Sequence, residues 1–232
     1  MSLSRPPATA LVTAAALVVS VAVLHSIDPA LAAKPAPKYR IAAGAAPKKD
    51  PPKGSPPTPI TTIARAMAKG VTVSVEYADA ARRAEFLKTV DPNLVDPFAA
   101  VPGKPERAIV FVVGFQNDAD GEVQFQPGNV VLMTDHGDRD FPLDLTDIYI
   151  GAKQAGNQDL ENVIDRTTRV MFDSATTIPA GGRRARLLAF KPLENPKWRQ
   201  FQVHFSFLQI AGETHTMSFT FHKQILAPES GS

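Results

Sequence analysis

The chain has no cysteine, a single tryptophan and no Asn-x-Ser/Thr sequon in its 232 residues. The missing cysteine excludes disulfide frameworks, thiolate metal sites, cysteine nucleophiles and a lipoprotein-type signal, which needs a Cys at its cut. Enzyme signatures are missing too. There is no G-x-S-x-G, H-E-x-x-H, Walker A or G-x-G-x-x-G. Ser/His/Asp triads assemble in space and leave no spacing rule, but only four histidines follow His25, and no carboxylate pair stands apart from the others. A hydrolase is therefore the least supported function class. With 44% hydrophobic residues, the chain has enough apolar material for one sizeable core.

Three segments differ in composition. Residues 1–32 read as an export signal, with Arg5 before the uncharged apolar run 11–24, then Pro29 and the small-x-small pattern Ala30-Leu31-Ala32. The cut is expected after Ala32, leaving no stable transmembrane anchor. Residues 33–60 hold eight prolines and six basic residues against the lone acid Asp50, and read as a disordered, polyproline-biased tether. Residues 61–228 form the folded domain, followed by a short disordered tail at 229–232.

Charge follows the same division. From Thr61 onward there are 18 basic and 21 acidic residues, a balance of −3, so the net +2 of the whole chain comes from the tether. A nucleic-acid-binding domain carries its own basic face, and this one has none evident, so nucleic acid is not an expected partner. The expected partner is an unidentified protein or an envelope polymer.

Strand patterns dominate the folded part. VTVSVEY at 71–77 alternates apolar and polar residues. Residues 108–116 (AIVFVVGFQ) are apolar on both faces and predict a central strand. Turn chemistry at 117–121 leads to short strands at 122–126 and 129–133, and a further strand is expected at 184–190. Helix formers at 79–90, with Asp79 as N-cap and Asp91-Pro92 as stop, predict one helix, and 160–172 a second. In the closing hairpin, 201–207 and 217–221 both place apolar residues at odd positions. That requires odd to pair with odd, and predicts 205 opposite 219 and 203 opposite 221, with a bulge near Gly212. The fold class is mainly all-β, an antiparallel immunoglobulin-like β-sandwich with one or two short helical insertions.

AIVFVVGFQNDADGEVQFQPGNVVLMTDHG, then TTIPAGGRRARLLAF and the closing hairpin, together resemble immunoglobulin-like sandwich domains of unknown function in exported bacterial proteins. The resemblance spans residues 70–225. It implies an exported adhesion, assembly or accessory domain, periplasmic or extracellular, and brings no catalytic residues to carry over.

Four features are candidates for chemistry, and each has a plainer alternative. Asp135, Asp138, Asp140, Asp144 and Asp147 form an acidic loop that could offer oxygens to Ca²⁺, or simply be solvated or paired with Arg183, Arg184 and Arg186. The turn at 117–121 partly mimics an EF-hand loop, but Gln116 and Pro127 stand where Asp and Glu are needed, so a hairpin turn is the better reading. With 202 opposite 222, His204 and His222 would be diagonal neighbours on the polar face. Two imidazoles so placed could hold Zn²⁺ or Cu²⁺ given a third ligand, or merely be solvated. Trp198 is either a surface contact or a cover over the core edge, the latter preferred. No cofactor is expected, with Ca²⁺ at the acidic loop the alternative. The leading expectation is a non-catalytic binding or assembly module. The runner-up is a metal- or small-ligand-binding accessory domain using 135–147.

Overall fold

The computed structural model describes residues 39–46, 61–99, 107–154, 158–195 and 197–225. The expected signal segment, its cut and the tail lie outside the described residues, as does most of 33–60. The doubly apolar run becomes the strand around which the rest is organised. In chain order the strands are β1 (Tyr39–Ala43), β2 (Ile63–Ala68), β3 (Val71–Tyr77), β4 (Ile109–Asn117), β5 (Val123–Phe125), β6 (Val130–Thr134), β7 (Arg139–Asp140), β8 (Thr176–Ile178), β9 (Arg183–Phe190), β10 (Gln200–Ile210) and β11 (Glu213–Ile225). The helices are α1 (Ala80–Val90), α2 (Leu145–Gln154) and α3 (Leu160–Val170).

Two antiparallel sheets face each other. One has four strands in the order β2-β3-β4-β9; the other has seven, running β1-β11-β10-β5-β8, with β6 on β10 and β7 on β6. The class is the expected mainly-β sandwich, with three α-helices among the described residues rather than one or two. Strand β4 explains the layering. Its Phe111, Val113 and Phe115 enter the core between the sheets, while Val110 and Val112 face the other way, against Phe86 and Leu87 of α1, Ile148 of α2 and Val170 of α3. A strand buried on both faces has to be apolar at every position, which is why 109–113 lacks alternation.

The inter-sheet core is aromatic. Phe111 lies 5.2 Å from Phe221, 5.9 Å from Phe190 and 6.0 Å from Phe201, centroid to centroid. Phe125 and Phe172 stack edge to face at 5.0 Å beside Phe115. Each buried Phe contributes roughly 1.5–3 kcal/mol of transfer free energy. Helix α1 begins and ends where expected: the Asp79 carboxylate accepts from Arg82 N, and Asp91 is the C-cap. It is anchored by Arg83, 1% exposed, whose Nε donates to Asp96 at 2.8 Å and whose Nη1 donates to the Ala78 carbonyl at 3.0 Å.

Three expectations need correction. The stretch 33–60 is not tether throughout, because Tyr39–Ala43 is strand β1, paired antiparallel to β11 with Ile41 in the core. The hairpin keeps odd opposite odd near its base, but with 203 opposite 219 and 205 opposite 217, two residues from the expected register. A two-residue turn at Ala211 (φ 49°) and Gly212 (φ 82°) closes it, setting Ile210 opposite Glu213. The bulge that restores parity lies between Phe205 and Leu208, not at Gly212. Phe207, expected inside with the other odd positions, is therefore outside: it is 64% exposed, with φ 55°. Past the bulge the even residues Leu208 and Ile210 are the buried ones.

Candidate functional site

The five aspartates do not form a cluster. Asp135 accepts from Arg199 N at 3.1 Å, and Asp138 accepts from the Thr134 hydroxyl at 3.1 Å. Asp140 accepts from Lys191 N at 2.8 Å. Asp144 and Asp147 bond reciprocally at the start of α2: Asp147 N donates to the Asp144 carboxylate at 2.8 Å, and Asp144 N to Asp147 at 3.3 Å. This is the reciprocal satisfaction of orphan N–H groups that begins many helices. The segment 135–147 is thus a turn, a short strand and a helix start, and each carboxylate binds a backbone or hydroxyl donor. Among the described residues, no three His, Asp or Glu side chains are grouped to hold a metal ion.

The other candidates separate as well. His204 lies opposite Ser218, with Nδ1 2.8 Å from its hydroxyl; His222 lies opposite Gln200, with Nδ1 3.0 Å from the Gly44 carbonyl, to which it donates when protonated there. The two-residue register difference moves the histidines from diagonal neighbours to pairs four positions apart along the ladder, Gln200–His222 at its end and His204–Ser218 in its interior. Trp198 is 4% exposed and belongs to the core, edge-on to Tyr39 at 5.9 Å and to Phe201 at 5.4 Å. It is not a surface contact. The Lys223 ammonium lies 4.1 Å from its ring centroid and 4.8 Å from that of Tyr39, a cation–π clasp that fixes β1 to the sandwich. Desolvation there holds Lys223 below the ordinary lysine value, partly opposed by Asp135.

The 117–121 turn is structural. Asn117 is fully buried where β4 leaves its sheet. Its Nδ2 reaches the carbonyls of Gly121 (2.8 Å), Pro179 (3.0 Å) and Ile178 (3.1 Å), and its Oδ1 accepts from Ala119 N at 3.1 Å. One amide thereby joins the end of β4 to the end of β8 in the opposite sheet.

A different constellation appears on the outer face of the seven-stranded sheet. Gln209 pairs with Gln124, and Gln124 with Thr177, so the three form one row across β10, β5 and β8. Beside this row is an open groove of about 300 Å³, lined by Phe207, Gln124, Gln126, Asn129, Thr176 and Gln209, with Phe125, Ala175 and Thr177. No ionisable side chain lines it. Of the lining amides, Gln124 donates its Nε2 to the Glu122 carboxylate at 2.6 Å. The groove is at the small end of ligand clefts, roughly 300–1,000 Å³. It carries amide and hydroxyl groups able both to donate and to accept, beside one exposed aromatic residue. Sequence reasoning placed none of these residues in a site. The available signal was the phase change from odd to even apolar positions at Phe207-Leu208, which puts an aromatic residue on the solvent face.

No family model and no curated protein matches this chain. Among solved structures it is similar to the yjhA protein from Bacillus subtilis, at 8% identity and a TM-score of 0.35, over 62% of this chain and 77% of that one.

Proposed function

We propose that this chain is an exported, non-catalytic binding module of immunoglobulin-like type, which engages a partner of the cell envelope or extracellular space through the outer face of its seven-stranded sheet. The supporting observation is Phe207. A large aromatic side chain is presented to solvent on a bulge, at 64% exposure, beside an open groove of uncharged side chains. Exposed aromatics next to polar groups are the usual anchors of recognition surfaces. Export rests on the 1–32 signal pattern, and N-terminal sequencing of the processed protein should begin at Ala33.

A photo-crosslinking residue at Gln209, in cells of the natural host, tests the surface. Adducts are expected from Gln209 and not from a control at Lys153, on exposed α2. Equal labelling at the two positions, or none at Gln209, would refute this surface as the binding face.

A further inference from the structure

Resting on that reading, we propose that the Phe207 groove is a carbohydrate subsite and takes a segment of uncharged polysaccharide. Three observations carry it. The lining is free of ionisable side chains, which disfavours anionic and cationic ligands. The side-chain amides of Gln126, Asn129 and Gln209 each offer donor and acceptor groups; Gln124 keeps its carbonyl and one amide hydrogen beyond the bond to Glu122, and the Thr176 hydroxyl, which donates to the Ser174 carbonyl, remains an acceptor. Vicinal hydroxyls need both. A single exposed aromatic residue supplies the apolar surface on which the C–H face of a sugar ring rests.

The backbone adds a fourth argument. Phe207 has φ 55°, a left-handed conformation that side chains with a Cβ rarely adopt. Glycine would adopt it freely, yet this position carries a phenylalanine. Strain of this kind held at a surface points to use of the side chain it displays. A peptide ligand fits less well. A helical peptide needs an apolar groove, and polyproline helices need grooves lined by several aromatics, whereas Phe207 is the lone exposed ring in this groove.

The test is a ¹H–¹⁵N titration of the full chain with dextran, laminarin, amylose and mannan. At least one should shift the side-chain NH₂ signals of Gln124, Gln126, Asn129 and Gln209 together. Phe207→Gly should weaken that binding by about ten-fold or more, since one aromatic contact of this kind is worth a factor of that order. It should leave the melting temperature unlowered, because glycine relieves the left-handed strain and the lost ring is largely outside the core. Gln209→Ala, on a regular part of the strand, should weaken binding without changing the fold. The proposal is overturned if no polysaccharide shifts these amides, if Phe207→Gly binds as well as the parent, or if a synthetic peptide of the chain's own 47–59 segment shifts them instead. Crosslinking from Gln209 presumes nothing about sugar. Adducts with a protein, without polysaccharide shifts, would retire the carbohydrate and leave the binding-module reading standing; failure of both would retire both.

Discussion

Replacing Asn117 by alanine removes a side chain that the fold uses at four points. The amide nitrogen has two hydrogens and three carbonyl acceptors, at 2.8, 3.0 and 3.1 Å, so one hydrogen is shared. The Oδ1 acceptor adds a bond from Ala119 N. At about 1 kcal/mol for each of three effective bonds, the direct loss is about 3 kcal/mol. The Ile178 carbonyl loses this partner in a buried setting, which adds on the order of 1 kcal/mol. A destabilisation of about 3–4 kcal/mol is expected, a large fraction of the roughly 5–15 kcal/mol that holds a domain together. For a domain of this size that lowers Tm by about 6–16 °C. Urea unfolding followed by fluorescence of the single buried Trp198 measures it directly. Asn117→Asp keeps the shape but turns a carboxylate toward three carbonyl oxygens, and should be at least as damaging. A loss below about 1 kcal/mol for Asn117→Ala would refute the stitching role.

Two further perturbations test the interior and the rim. Asp96→Ala takes the carboxylate from a guanidinium that is 1% exposed, and is expected to cost about 3 kcal/mol in chemical denaturation, because breaking a buried pair leaves a desolvated charge behind; a neutral result would contradict the ion-pair anchor of α1. Lys223 has its pKa lowered from 10.5, chiefly by desolvation, so between its folded value and 10.5 the unfolded chain holds more protons. Stability from this group therefore rises as pH climbs through that window and is lost as pH falls below it. The difference in stability between the parent and Lys223→Met should drift in the parent's favour on approaching pH 10.5, and a difference flat with pH would refute the assignment.

The sandwich was legible because burial leaves periodicity in a sequence. The alternation at 71–77 and the unbroken apolar run at β4 both report which faces are covered, and the Asp79 and Asp91 caps report where a helix must stop. Strand β1 was hidden by its surroundings. Proline and lysine crowd 33–60, but none of the prolines falls between Pro37 and Pro47, and Ile41 sits in that gap. The acidic segment misled for another reason. Composition counts charges, whereas Asp135, Asp140 and Asp144 are there to receive backbone N–H groups, and nothing in residue type separates a carboxylate that binds a cation from one that caps a turn. The histidine pair failed through register. Two offsets that differ by two residues satisfy the same inward pattern, so parity alone leaves them degenerate.

The bulge itself is an architectural necessity. A two-residue turn at Ala211-Gly212 pairs even positions with odd ones, so a hairpin that buries Phe201, Val203 and Phe205 against Met217, Phe219 and Phe221 must insert one residue in one of its two strands, and here the insertion is in β10. Folding explains that an extra residue is there and that it leaves the pleat. It does not explain why the residue with φ 55° is phenylalanine, since glycine would serve the turn of the backbone with less strain and most of the ring is exposed. The opposite sheet has its outer face covered by α1, α2 and α3, whereas the row from Gln209 through Gln124 to Thr177 borders an open groove. A costly aromatic residue is thus placed on an uncovered face, beside side chains chosen for hydrogen bonding and not for charge. The proposed binding role gives residue 207 a reason to be aromatic that the backbone alone does not, and Phe207→Gly separates the two: unchanged binding with unlowered stability would leave the ring without that reason.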